Sequence, residues 1–271
     1  VKDLLDAQLS RFKEEIEVRR LKWSCFCFVL SGFFVSCYFS APSQDVCNAA
    51  QKERDIEAKL NRIRDDWTGQ TLGFQPFKKR GDLTLAPPVL ADLMTLLEDS
   101  QANLGSLLGN RYNAPFRSEL QKWLVTLTTV QERLELWLQV QALWIYLEAV
   151  FSGGDIAAQL PQEAKRFSNI DKTWERIISA ARDNPNVINF CYKEDMLKTL
   201  LPPLQESLEV CQKSLAGYLE AKRNIFPRFF FVSDAQLLEI LGQGSNPHTI
   251  QAHLSSLFDN VNRVDFDKVQ R

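Results

Sequence analysis

The sequence predicts an all-α protein: an elongated stack of antiparallel helices with one small β-hairpin near residues 72–85. Three observations predict it. Apolar residues recur at steps of three and four through most of the chain, the spacing that lines one face of a helix. One stretch, Phe116 to Trp137, keeps those steps as an unbroken heptad seam and continues it through Trp144 and Phe151. Glycine and proline, eleven each in 271 residues, are too scarce for a fold built from many tight turns.

The elements follow in order. Val1, Leu4, Leu5, Leu9, Phe12 and Ile16 share a helical face to about Val18. Ile56, Leu60, Ile63 and Trp67 mark a second helix. Leu72 and Phe74 alternate before Lys79-Arg80-Gly81, and Leu83 and Leu85 alternate after it, which is the pattern of a hairpin. Pro87-Pro88 opens a third helix, with Leu90, Leu93, Leu97, Leu104 and Leu108 inward and Gly109-Asn110 as its stop. The long helix from Phe116 ends at Gly153-Gly154. Pro161 starts a short helix through Phe167, and Ile170, Trp174, Ile177, Ile178 and Ala181 form another, ending near Asn184-Pro185. Leu204, Leu208, Cys211, Leu215, Tyr218 and Leu219 make a further stripe. Pro227 disfavours helix at Phe226, so IFPRFFFVSD reads as extended chain, its Phe229-Phe230-Phe231 run placed in the core. Ser233 with Gln236 is a capping box, and Asn246-Pro247 starts the last helix, with Ile250, Leu254, Leu257 and Phe258 inward.

Composition excludes several functions. With 32 basic and 34 acidic side chains the net charge is −2, so no cationic field directs the chain to nucleic acid or anionic lipid. Cys25, Cys27, Cys37 and Cys47 match no zinc-site spacing, and reduced thiols are expected. The two histidines, His248 and His253, lie about 140° apart around a helix and cannot clamp one metal from one face. No glycine-rich phosphate loop with its lysine is present, and Gly242-x-Gly244 reads as a helix C-cap. Paired acids such as Glu14-Glu15 and Asp65-Asp66 read as solvated helix faces. The expectation is a chain with no catalytic residue, no metal ligand and no cofactor site of its own.

One window stands apart. Trp23 to Gln44 has no charged residue, and three readings of it remain open. It has the length of a membrane span but carries five serines and three cysteines. Its aromatic and β-branched residues suit a buried hairpin. Its residue types are those of pyrimidine-rich codons, and Val18 to Gln44 has the outline of a short unspliced intron read in frame. The third reading is preferred.

Several stretches together resemble one family. FPRFFFVSDAQLLEILG (226–242), FSGGDIAAQLPQEAKRFSNIDKTW (151–174) and CQKSLAGYLEAKR (211–223) are similar to the linker region of dynein heavy chains. IEAKLNRIRDDW, LLGNRYNAPF and HTIQAHLSSLFDN match the same region in the same order. The form around Gly153-Gly154-Asp155-Ile156 looks axonemal rather than cytoplasmic, with an outer-arm type preferred. The resemblance implies an N-terminal linker helix (1–17), an insert without counterpart (18–44) and linker proper (45–271), incomplete at its C-terminal end. It implies a force-transmitting lever in a larger motor. That parent's AAA+ ring binds ATP and Mg and is the partner on which the lever lies. Intermediate chains, light chains and microtubules are partners of the parent complex, in the cytoplasm and the axoneme of a cilium or flagellum. Nucleic acid and membrane are not expected partners. Gly153, Gly154 and Pro227 are the candidate hinges or helix breaks. The alternatives are a non-motor helical scaffold and, behind it, a single-pass membrane protein.

Overall fold

Arg117–Phe151 is a single helix of 35 residues, about 52 Å long, and most other elements pack around it. The computed structural model describes residues 41–152, 155–242 and 247–265. The chain divides into two compact units, 1–53 and 54–271, and the described architecture belongs to the second apart from the first turns of α1. The helix expected over Val1 to Val18, most of the uncharged window, and the Gly153-Gly154 pair lie outside the described residues.

The element order is α1 (Ala41–Thr68), β1 (Phe74–Pro76), β2 (Asp82–Leu85), α2 (Pro87–Leu108), α3 (Arg117–Phe151), α4 (Asp155–Gln159) and α5 (Pro161–Asp183). A π-helical turn (Asn189–Lys193) leads into α6 (Met196–Ile225), and a 3-10 turn (Pro227–Phe231) into α7 (Asp234–Gly242). A second 3-10 turn (Pro247–His253) and α8 (Leu254–Leu257) close the described chain. The all-α stack with one hairpin is therefore observed.

Burial follows the periodicity. In α1, Ile56, Leu60, Ile63 and Trp67 face inward, and the Trp67 indole donates to the Ser100 hydroxyl of α2 at 3.0 Å. In α3 the seam residues Leu120, Leu127, Val130, Leu134, Trp137 and Trp144 have no exposed surface. Val140, Gln141, Leu147 and Glu148 are buried beside them, so α3 is enclosed on more than a seam by α2, α5 and α6. A two-helix seam leaves the flanks wet; three neighbours do not. Burial pushes the Cys191 thiol up to about 12, against the lowering pull of Arg133, so it stays a protonated and inert thiol at neutral pH.

Two strands pair antiparallel, Phe74 opposite Leu85 and Gln75 opposite Thr84. Gly81 at φ +89° turns the chain where a side chain would be strained. Gly73 is needed for space, because a Cβ there would meet Val89 at 2.9 Å.

Three expectations need correction, and one helix proves longer than its apolar stripe marks. Pro161–Asp183 is one helix, not two, because Phe167 and Ile170 continue the same buried face as Trp174. Leu107 rather than Leu108 completes the buried face of α2. Pro227–Phe231 is a 3-10 turn, not extended chain; Phe226 takes the extended backbone that proline demands, and the proline then starts the turn. Helix α6 runs from Met196 through Pro202 and Pro203, since burial of Leu197 and Leu201 outweighs the cost of prolines in a helix interior.

Trp137 is the test of the packing. Its ring is fully buried against Phe190 at 5.7 Å, and its indole N–H has no hydrogen-bond partner among the described residues. Trp137→Ala is expected to cost roughly 3–5 kcal/mol in urea denaturation. Trp137→Phe keeps an aromatic ring and removes the unpaired donor, so it is expected to cost clearly less. Equal midpoints for the native chain and Trp137→Ala would contradict the packing.

Candidate hinge and its clamps

Pro227 stands where α6 must end. Lacking an N–H and crowding the residue before it, it holds Phe226 at φ −128° and ψ 93°, outside the helical region. The corner so formed is held on both sides. Arg223, in the last turn of α6, donates to the carbonyls of Phe229 at 3.3 Å and Val232 at 3.1 Å, and pairs with Asp234 at 2.7 Å. Arg228 donates to the Leu257 carbonyl at 3.0 Å and lies over the Phe258 ring at 4.6 Å. Phe226 meets Phe229 edge to face at 4.9 Å. Directly after it the capping box forms as its sequence requires. The Ser233 N–H donates to Gln236 Oε1 at 3.0 Å, and the Gln236 N–H to Ser233 Oγ at 3.3 Å.

These contacts make Pro227 a braced corner rather than a loose joint. Four donor–acceptor contacts from two arginines span it, and each would have to break for the angle to open. The corner also leaves an apolar edge. Ile225 is 77% exposed, Phe230 60% and Phe231 73%, against the expectation that the phenylalanine run is core. The reason is the 3-10 turn: with three residues per turn only one of three consecutive side chains can face inward, and Phe229 takes that place.

Gly153 and Gly154 lie outside the described residues, but both flanks are packed. Phe151 stacks on Phe167 at 5.6 Å, and Ile156 is buried. Helix α4 packs on α7, the helix that follows the corner. Tyr146, near the end of α3, has its hydroxyl pushed above its ordinary value by burial and by the charge of Asp234, the same carboxylate that Arg223 holds. The end of α3 and the Pro227 corner are thus neighbours in space, which no spacing in the chain announces.

A third joint was missed altogether. The hairpin is stitched to α3 and α5 by buried polar contacts. The Leu85 N–H donates to Gln141 Oε1 at 2.8 Å, and the Trp174 indole to the Leu83 carbonyl at 3.0 Å. Trp144 stacks on Trp174 at 5.4 Å and donates to Asp171 at 3.0 Å, with Phe77 packed on it at 4.9 Å. Over this aromatic step lies Arg80, bound to Asp171 at 2.6 Å and Glu175 at 2.7 Å and near Glu148 at 3.6 Å. The hydrogen bond to Asp171, more than that to Glu175, holds the guanidinium above its ordinary pKa, so it is always charged. Glu148 is buried and also takes Lys78. Arg80 sits in the hairpin turn, and the only available signal was a basic turn facing Asp171 and Glu175, spaced one helical turn apart.

Among the described residues there is no group of three or more His, Cys, Asp or Glu placed to hold a metal, and no helix long and apolar enough to cross a membrane. Fold and joints together define a class, a helical module whose distinctive residues brace rods against one another. The chain belongs to the dynein heavy chain family: the model for dynein heavy chain, N-terminal region 2, matches residues 1–271. It is 58% identical over 223 residues to human dynein axonemal heavy chain 8, covering 82% of this chain. It is 49% identical over 270 residues to mouse dynein axonemal heavy chain 5, covering 99% of the chain. Against the dynein gamma chain of the flagellar outer arm from Chlamydomonas reinhardtii it is 49% identical over 229 residues, covering 84%. The chain spans about 5% of the length of each of these relatives.

Arg223 tests the clamp. Arg223→Ala removes three hydrogen-bonding contacts and is expected to cost about 1–3 kcal/mol, the range for hydrogen bonds to a charged group. Limited chymotrypsin digestion should then cut faster at Phe226 to Phe231. Unchanged stability and unchanged cleavage would show that the corner holds without its arginine.

Proposed function

We propose that this chain is a force-transmitting linker segment of an axonemal dynein heavy chain, working in the axoneme of a cilium or flagellum. The observation that carries the reading is α3, a 35-residue rod enclosed over most of its length, in a stack cross-braced at the hairpin and the Pro227 corner. A lever must resist bending except at defined places, and a helix packed on several sides with few breaks meets that demand. The names of the relatives, all axonemal or flagellar heavy chains, support the setting.

On this reading the ATP and Mg of the motor are held by the AAA+ ring of the parent heavy chain, not by these residues, and microtubules are bound by another part of the parent. Intermediate and light chains join through the parent complex. The ring is the partner on which the lever moves, and the exposed edge of Ile225, Phe230 and Phe231 is a surface available for such contacts. Gly153-Gly154 is the better of the two hinge candidates, because the Pro227 corner is clamped.

The test uses the full-length heavy chain. Trp137→Ala, which softens the buried rod, should leave ATP hydrolysis by the ring near its native rate while microtubule gliding slows severalfold. Trp137→Phe should restore most of the gliding. Native gliding in the Trp137→Ala motor would overturn the lever reading, as would parallel loss of hydrolysis and gliding.

A further inference from the structure

An open groove of about 740 Å³ lies between the end of α1, the first turns of α3 and the π-helical turn. Its size is within the range of roughly 300–1,000 Å³ usual for ligand sites. Buried Trp67 lines it, with its indole N–H directed to Ser100 and so already used. Trp123 and Tyr192 line it as half-buried aromatic rings. Trp123 belongs to the heptad seam by spacing and was expected in the core. It stays half-exposed because the chain beside it is the π-helical turn rather than a full helix.

The charges in the groove are unequal. Arg64 and Glu119 pair with each other. Lys193 donates to the Asn189 side-chain oxygen at 2.7 Å, and Asn186 is spent on the Thr68 carbonyl and the Asn189 N–H. Lys122 and Lys193 therefore have no carboxylate partner among the described residues. The Trp123 indole and the Tyr192 hydroxyl likewise have no hydrogen-bond partner among them. The groove offers two cations, two aromatic faces and unspent donors, and its one carboxylate is already paired.

We propose that this groove docks an acidic peptide segment of a partner polypeptide. Its carboxylates would pair with Lys122 and Lys193, and an apolar or aromatic side chain would pack between Trp123 and Tyr192. Two separate lysines match two separate carboxylates better than one polyphosphate, which calls for a converging nest of backbone N–H groups that no glycine-rich loop supplies here. Two lysines in a chain of net charge −2 are also too few to hold a nucleic acid backbone. The site is independent of the lever reading, since both lysine side chains are exposed and neither belongs to the buried core.

The test is fluorescence anisotropy on the 271-residue chain with a short fluorescein-labelled peptide in which glutamates flank one phenylalanine. Saturable binding is expected, weakened about tenfold or more by Lys122→Glu with Lys193→Glu, the loss of two exposed ion pairs and their reversal. The reversed protein should in turn bind the same peptide with lysines in place of glutamates. Both lysines are exposed, so the reversed chain should melt with the native one. Absence of binding, binding indifferent to the reversal, or displacement of the peptide by equal concentrations of ATP or inorganic phosphate would each overturn the proposal.

Discussion

Enclosure of one helix holds this structure together. Helix α3 is 35 residues long, and most of the stability of a helix inside a protein comes from packing of its apolar face rather than from propensity, so it is held by what surrounds it. Thirteen residues between Leu120 and Phe151 are buried, and α3 packs against α2 on one side and α5 and α6 on others. Each neighbour is oriented by its own contact with α3, so a change in α3 is felt by all of them. The fully buried tryptophans add shape to this: Trp137 meets Phe190, and Trp144 stacks on Trp174, an aromatic pair worth about 0.5–1.5 kcal/mol beyond its buried area.

Polar contacts do a different job from burial here. They sit where rods meet. Arg80 joins the hairpin turn to α5 and α3, Arg133 caps the π-helical turn through the carbonyls of Tyr192 and Glu194 at 3.3 Å each, and Arg223 spans the corner after α6. A planar guanidinium holds its donors in a rigid fork and so fixes the directions of two or three acceptors, where a lysine ammonium turns on a flexible stem. The result is a stack in which apolar area supplies stability and arginines supply angle. Such a division suits the lever proposed above, because the angles are held by contacts that are few.

Much of the fold was legible because helical periodicity is a local signal. The buried faces of α1, α2, α3 and α6 follow the spacing almost residue by residue, and the Ser233–Gln236 box was readable for the same reason. Most of the failures depend on neighbours far away in the chain, and the rest on a turn type that residue spacing does not reveal. Pro202 and Pro203 argue locally against a helix that tertiary burial of Leu197 and Leu201 preserves. Trp123 has the spacing of a core residue, yet the element opposite it is a short turn. Phe230 and Phe231 have core composition, but a 3-10 turn cannot bury three successive side chains. Of the candidate joints, Pro227 was found because proline acts on its own backbone. Arg80 was not, because its partners stand up to 95 residues away; Arg223 was not, because its nearby acceptors come within reach only through the 3-10 turn, which the sequence reads as extended chain.

The central claim is that α3 is a rod held by its surroundings as one cooperative piece. Native-state hydrogen exchange followed by denaturant dependence measures this directly. The account predicts that amides from Val130 to Leu147 exchange only through global unfolding, with the same denaturant slope as the whole unit, while those from Phe226 to Phe231 open at lower free energy. Exchange of the α3 amides through a local opening that leaves α5 and α6 protected would contradict it.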